Sequence, residues 1–554
     1  MKREIIKQYV ATLKEDGELD YIFPLLLERM GYRVLMTPKQ SKGQPQYGRD
    51  VVALKKTKSV TTLYHFELKG FAAKDITDRT LNEPDGIIES LRASKYTDYT
   101  DYSIPGLNTF PKYYVFVHNG SAEPNALNTL NGFVKIEFPD ENFSRWDLDI
   151  LTTHFSEYLY DETLLVNEDS YRLFKKALVL LDAEGNDYSD IVKLVDQQIA
   201  KMETSPKGNR RRQLNFFATL RLIASMVYYY SKESDNLYPA KYCIDTIVLK
   251  TWAWILRNKY EKKTSVVKHF NSLVLLQVQI YEEYINKILR FANFNKGLYS
   301  FEGSDTEYIF YPLRCYDFLG DLIYYYNLLE AYGLGDDHAS CIRMRALKDI
   351  IRNNPACTNP LLDTHSIPIK MVFKYMAFHE TCQDDVECLG RFLLNTVLNL
   401  CSRYNKQKMW PEMSGNRLAL AKSLYEKSDD YCSESSLLIL DMFELIAYIG
   451  MLYPEFKKKV DESGVNLQVV YPIQSQYDIE TCLFEHRLND EVAVETNIKL
   501  PETFEDFKKA YKKKYTSIKY RTDAVNYDFL RVLAHKYYET DFFPDYLDRT
   551  FCKD

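Results

Sequence analysis

The chain has 554 residues, 46% of them hydrophobic and 27% charged, with a formal net charge of −7. A single hydrophobic core stops growing near about 250–300 residues, so at least two domains are expected, and the acidic balance excludes a global basic footprint for nucleic acid. No apolar run approaches the roughly 18 residues of a spanning helix, and the start MKREIIKQYV lacks the apolar core of a secretory signal.

All ten cysteines follow residue 240, unevenly spaced, which suits reduced thiols in a cytoplasmic protein with no membrane segment. Residues 1–70 carry 13 Lys and Arg against 8 Asp and Glu. Any contact with nucleic acid must therefore use a local patch or a partner.

Residues 19–30 (LDYIFPLLLERM) are apolar enough for a buried helix, with Pro24 tolerable only near its first turn. Gly31 ends that helix, 32–37 (YRVLMT) reads as a strand and 38–48 as a polar loop. Residues 51–54 and 62–68 are rich in Val, Thr, Tyr and Phe, and the KKTKS between them reads as a hairpin loop. Centring that loop between Lys58 and Ser59 makes residues whose numbers sum to 117 face each other, and Asp50 and Glu67 are such a pair. Facing residues on antiparallel strands have Cβ atoms roughly 4.5–5.5 Å apart, a span one divalent ion bridges. Alternation puts Glu67 and Lys69 on the face of Leu63 and His65, with Tyr64, Phe66 and Leu68 on the opposite, core face. Like charges placed face to face are destabilising without a counter-ion, so Asp50 and Glu67 ask for a metal or a cation. His65 is expected to fill the wall of the same groove. Residues 85–96 then read as a helix, 112–117 (KYYVFV) as a buried strand and 133–138 (FVKIEF) as the last strand, before a helix over 146–160.

From about residue 165 the helical period dominates: 171–181, 188–202, 211–230, 244–258, 265–294, 308–334 and 341–353, then 367–379, 387–404, 417–427, 435–452, 504–515 and 526–538. Segments 231–239, 353–368 and 406–416 read as linkers, and 469–496 is the later stretch without helical signal. No fixed repeat period is present, so an irregular all-α array is expected. The 45 tyrosines cluster as in VYYY (227–230) and IYYYN (323–327). Tyrosines of this kind stack bases or fill helix seams with the hydroxyl at the rim, and their helical spacing favours the seams. Lys207 with Arg210, Arg211 and Arg212 at a helix start, and the lysines around 508–514, read as solvated basic faces rather than phosphate sites. His379, Cys382 and Cys388 match no standard zinc spacing. No GxxxxGK[ST] or GxSxG motif is present, so ATPase and serine-hydrolase chemistry have no support.

The ordered set of an acid-bearing helix, Gly31-Tyr32-Arg33-Val34, Gly48-Arg49-Asp50 and Glu67-Leu68-Lys69 resembles the Mrr-like branch of the restriction-endonuclease-like superfamily, the PD-(D/E)xK nucleases, over about the first 150 residues. The resemblance implies an α/β restriction-endonuclease-like domain with a mixed central sheet over 1–160. A large, mainly α-helical sensor or assembly region over 165–554, possible to divide near 354–368, would follow. It implies catalytic roles for Asp50, Glu67 and Lys69, and for the helix acid eleven residues before Gly31, which is Asp20, with Glu28 on the same helix as the rival. Mg²⁺ or Mn²⁺ would be held by Asp50, Glu67 and the Leu68 carbonyl, with Lys69 orienting the nucleophile and Asp20 orienting a metal-bound water or helping to hold a second ion. The implied substrate is double-stranded DNA, cut to leave a 5′-phosphate. The implied setting is bacterial restriction or anti-phage defence, with control through a protein partner or homo-oligomer at the helical region. The alternative is a catalytically inactive nuclease-fold scaffold that binds nucleic acid or a protein.

Overall fold

The computed structural model of the chain describes residues 2–38, 47–57, 60–70, 75–84, 86–160, 165, 168–183, 187–203, 210–300, 306–334, 337–423, 430–449, 452–472, 479–487, 492–512 and 520–540. The β-branched and aromatic run either side of residue 58 forms a long antiparallel pair, Val51–Thr57 (β2) and Val60–Lys69 (β3), after a first strand Arg33–Met36 (β1). Its register is the one expected: Val51 faces Phe66, His65 faces Val52, and the pairing continues to Thr57 and Val60. The strands outrun their apolar stretches because Lys55 and Lys56 remain paired at the exposed end. The Lys55 ammonium lies 4.2 Å from the centroid of the Tyr32 ring.

Two parallel strands complete a mixed five-stranded sheet in the order β1-β2-β3-β5-β7, with Lys112–His118 as β5 and Phe143–Trp146 as β7. Short strands Asp75–Ile76 (β4) and Ser121–Ala122 (β6) pair in parallel beside it. Helices cover both faces. On one side Asp20–Arg29 (α2) sets Phe23 against Phe66 and Trp146, at centroid distances of 5.3 and 6.0 Å. On the other, Asp78–Asn82 (α3), Ile87–Tyr96 (α4) and Pro124–Glu137 (α5) bury Leu81, Ile87, Leu91, Leu130 and Phe133 against Tyr114 and Phe116. β3 is therefore buried on both faces, not on the Phe66 face alone.

Of residues 133–138, expected to be the last strand, 133–137 are the end of α5 and Phe138 is its C-cap. Ala126, Leu130 and Phe133 recur at helical spacing, and Pro124 occupies the first helical turn, so helical burial overrides the local β-propensity of FVKIEF. The last strand is β7, and Trp146, placed by the sequence at a helix start, ends it. Asp147 then caps Leu148–Tyr158 (α6) through the N–H groups of Asp149 and Ile150.

The first compact unit runs from Met1 to Ile247, beyond the expected end at 160. Within it Glu168–Val179 (α7), Ser189–Glu203 (α8) and Arg210–Glu233 (α9) follow α6, and α9 lies on Lys2–Val10 (α1). Asn215 donates to the Thr12 hydroxyl at 3.2 Å and Arg221 to Gln8 Oε1 at 2.6 Å. Only Ser234 to Leu237 separate α9 from Tyr238–Arg257 (α10), so the 231–239 linker is shorter than read.

The second unit runs from Val248 to Asp554 and is mainly helical. Its principal helices are Thr264–Ala292 (α11), Glu307–Ala331 (α12), Asp337–Asn353 (α13), Ser366–His379 (α14) and Gln383–Gln407 (α15). Tyr281, Tyr316, Tyr324 and Tyr375 are fully buried, and Tyr324 donates to Gln277 across the α11–α12 seam at 2.9 Å. Segment 353–368 is packed interior rather than a linker. Ala356, Cys357, Leu361 and Leu362 are buried, and Asn354 bonds the Ala292 and Ile350 carbonyls. Its Pro and Asn residues break the helix, and the Asn side chains supply partners to the broken backbone. Segment 406–416 likewise buries Trp410 and Glu412. The stretch 469–496 holds an antiparallel pair, Val469–Pro472 with Val492–Glu495, and a helix, Ile479–Glu485. Among the described residues no helix is long and apolar enough to cross a membrane.

Candidate functional site

The parallel strands β3 and β5 pair Lys69 with His118 at their carboxyl ends, and the sequence-derived residues gather there. Gly48 starts the approach in the left-handed region, at φ +68, packed so closely on α4 that a Cβ would lie 1.8 Å from the Ser90 carbonyl oxygen. Arg49 is buried and donates to the Thr97 and Asp98 carbonyls at the end of α4. These two contacts pull the chain out of the ladder just before Asp50.

Asp50 consequently does not face Glu67 as a simple cross-strand pair. Its N–H donates to the Phe66 carbonyl at 2.9 Å, the residue Val51 already faces, so the register slips at its mouth. The Leu68 N–H then closes on Asp50 Oδ2 at 2.7 Å. Leu68 thus enters the site through its N–H.

Glu67 is 3% exposed. Lys69 Nζ stands 3.1 Å from its Oε1, and the Ser90 hydroxyl hydrogen-bonds the same carboxylate. The structure adds an acid the sequence reading missed: Glu15 Oε1 lies 3.2 Å from Lys69 Nζ, and its Oε2 accepts the Gly70 N–H at 3.3 Å. Asn119 makes this possible by donating to the Val10 and Leu13 carbonyls, tying the end of α1 to the end of β5. The chain then turns through Gly17 at φ +78 and lays Glu15 over Gly70, where a Cβ would fall 2.0 Å from the Glu15 nitrogen. Gly70, directly after the E-x-K, and Gly17 were the available signals in the sequence.

Asp20, the expected helix acid, opens α2. Its carboxylate is hydrogen-bonded by the Gly17 and Tyr21 backbone, and its Oδ1 is buried without a partner. Asp20 makes no hydrogen bond to Asp50, Glu67 or Lys69. It reaches the cluster only electrostatically, through Glu15, because the extra turn over 15–19 puts Glu15 in front. Glu28 is exposed, eight residues further along the helix, or about 12 Å, and does not join. His65 is interior rather than groove wall. It is covered by α4, with Nδ1 3.3 Å from the Ser94 hydroxyl, and burial holds its pKa down to about 3.

Among the described residues the charges do not balance. Glu15, Asp50 and Glu67 meet one ammonium there. Burial, then the Glu67 carboxylate, push Asp50 up to about 8 against the opposing pull of Lys69 and the Leu68 N–H. Burial likewise raises Glu67, opposed by Lys69 and Ser90. Burial alone would lower Lys69, but Glu67, Glu15 and Asp50 more than reverse it and hold the ammonium above its ordinary value. Such a site favours a proton or an added cation. Asp50 Oδ1 has no hydrogen bond among the described residues, and Asp50 and Glu67 offer hard oxygen donors of the kind Mg²⁺ takes, one or two carboxylates with several waters retained. Among the described residues no group of three or more His, Cys, Asp or Glu side chains is gathered as a metal cage.

The other sequence candidates do not converge. His379 spends Nδ1 on the Tyr375 carbonyl and sets Nε2 3.2 Å from Glu330. Lys508 pairs with Glu505 and Lys509 with Asp506, a solvated face. Residues 207–209 and 513–514 lie outside the described residues. No family model, curated protein or solved structure matches the chain.

Proposed function

We propose that residues 1–247 form a restriction-endonuclease-like, metal-dependent phosphodiester hydrolase acting on double-stranded DNA, and that residues 248–554 sense a trigger or assemble the complex in bacterial restriction or anti-phage defence. The observation that carries this reading is the meeting of Asp50, Glu67 and Lys69 at the carboxyl end of the parallel strands, with more negative charge than the described residues neutralise. Asp50 and Glu67, with the Leu68 carbonyl, would hold Mg²⁺ or Mn²⁺. When bound, the ion lowers the pKa of a coordinated water and neutralises charge on the attacked phosphate. Lys69, held cationic by its carboxylate neighbours, orients the nucleophile and stabilises negative charge developing on the phosphate oxygens. The Leu68 N–H fixes Asp50, and Ser90 fixes Glu67, so neither carboxylate must reorganise during the reaction.

One observation favours a second reading, a non-catalytic scaffold of the same fold. Glu67 is almost fully buried and Lys69 is engaged by two carboxylates, which also describes a closed structural ion network. Incubating the full chain with plasmid, linear duplex and RNA, in Mg²⁺ or EDTA, separates the two. The hydrolase cuts DNA only with the metal, whereas the scaffold binds without cutting in either buffer.

A further inference from the structure

Among the buried hydrogen-bond donors of residues 248–554 that find no acceptor among the described residues, five belong to four neighbouring side chains: Arg403 Nε and Nη1, His365 Nε2, the Tyr316 hydroxyl and Trp410 Nε1. The residues are 6%, 4%, 1% and 2% exposed. Two ties bring them into one neighbourhood. The His365 ring stacks on Tyr316 with centroids 4.1 Å apart. Arg403 Nη2 donates to the Tyr431 hydroxyl at 3.3 Å, and that hydroxyl donates to the Trp410 carbonyl at 2.6 Å. The backbone fastens the two halves together: Leu362 bridges Glu412, the Asp363 N–H donates to the Glu412 carbonyl at 2.7 Å, and the Glu412 N–H donates to the Leu361 carbonyl at 2.9 Å.

The set is made of donors. His365 Nδ1 accepts the Leu361 N–H at 3.1 Å, so in the neutral ring Nε2 carries the hydrogen. Burial, with the Arg417 and Arg403 charges, keeps that ring neutral. Arg403 decides the chemistry. Its guanidinium is always charged, and it makes no ion pair with any described residue. Glu412, a buried carboxylate of this neighbourhood, is engaged by the Ser414 hydroxyl at 2.5 Å and the Asn416 N–H at 2.9 Å. Buried charges are paired and buried donors find acceptors. A water molecule supplies acceptor lone pairs but no charge, whereas a small oxyanion supplies both.

We propose that Arg403, His365, Tyr316 and Trp410 bind one small inorganic oxyanion of the phosphate or sulfate type. It holds the irregular 353–368 segment to the chain around Trp410, and the stability of this unit depends on it. Because the donors are enclosed, the anion is retained through purification and exchanges only when the segment opens.

The test uses the full chain exchanged into a buffer free of phosphate, sulfate and chloride. Ion chromatography after denaturation should find about one equivalent of phosphate or sulfate per chain, and chloride in its place would identify a monatomic anion and overturn the oxyanion assignment. With phosphate in excess, the melting temperature should rise with the logarithm of its concentration at constant ionic strength, and Arg403→Met should abolish the rise. Trp410→Phe keeps an aromatic ring to stack on Tyr404 and removes one donor, so the rise should set in at about tenfold higher phosphate. It carries the comparison if Arg403→Met does not fold. No released anion together with a melting temperature indifferent to phosphate, or a rise equal in wild type and variants, overturns the proposal.

Discussion

Replacing Asp50 by Asn tests the electrostatics of the site without removing volume. Asp50 is moved from 3.8 to about 8 by burial and by Glu67, so between these values the folded chain binds more protons at this position than the unfolded chain does. Stability therefore falls as pH rises from about 4 to 8 and stays reduced above 8. One pKa unit is worth 1.36 kcal/mol, about 6 kcal/mol for the whole shift. Because the proton is shared electrostatically with Glu67 and the Asp50 edge is partly exposed, roughly half of that, about 3 kcal/mol, is expected to reach the folding equilibrium. At about 2–4 °C per kcal/mol for a unit of this size, Asp50→Asn in EDTA should raise the melting temperature by about 6–12 °C at pH 8.5. At pH 5, where only the first part of the penalty has accrued, the gain should be less than half of that. Mg²⁺ should raise the wild-type melting temperature at pH 8.5 and leave Asp50→Asn unmoved. A wild-type melting profile in EDTA that is flat or rising from pH 5 to 8.5, with no gain in Asp50→Asn, would refute the reasoning.

Gly48→Ala combines a left-handed backbone with a Cβ 1.8 Å from the Ser90 carbonyl oxygen and should cost about 3 kcal/mol or more, read as a fall in the melting temperature of the first unit. Glu15→Gln frees Lys69 on one side. Stability should drop by under about 1 kcal/mol, as for a half-exposed ion pair, while cleavage falls about tenfold because Lys69 is less well positioned; an unchanged rate would remove Glu15 from the site. The fragment 1–160 lacks α9 and uncovers α1, so it should melt lower or aggregate, while 1–247 melts as one cooperative transition; equal behaviour by calorimetry would show that α9 adds nothing. Residues 1–160 should also bind duplex DNA weakly, given their slight basic excess, in a titration against the full chain.

The hairpin was legible because strand period and a polar turn define a register without outside help, and every pair from Val51 and Phe66 to Thr57 and Val60 follows. The helices after residue 165 were legible for the same reason, their period being long and repeated. The misreadings have a common cause in tertiary contacts. FVKIEF has strand-like residues, but its burial partners sit on α4 and β5, so it completes α5. Asparagines and prolines over 353–368 mark a broken helix, and only the packed structure shows Asn354 bonding the Ala292 and Ile350 carbonyls inside the core. Asp50 and Glu67 could be brought near each other by arithmetic, though not in their actual register, and Lys69 by alternation, whereas Glu15 arrives through Asn119, more than a hundred residues away in sequence. The slip at Asp50 follows from Gly48 meeting Ser90, a contact that spacing along the chain does not encode.

The most direct measurement follows conversion of supercoiled plasmid by the full chain, comparing wild type with Lys69→Ala and Glu67→Gln in Mg²⁺ and in EDTA, with folding checked by circular dichroism. The account predicts nicked or linear product only for wild type and only with Mg²⁺, while both variants remain folded. Product formed in EDTA, product formed by Lys69→Ala at the wild-type rate, or no product from wild type on any nucleic-acid substrate, would contradict it.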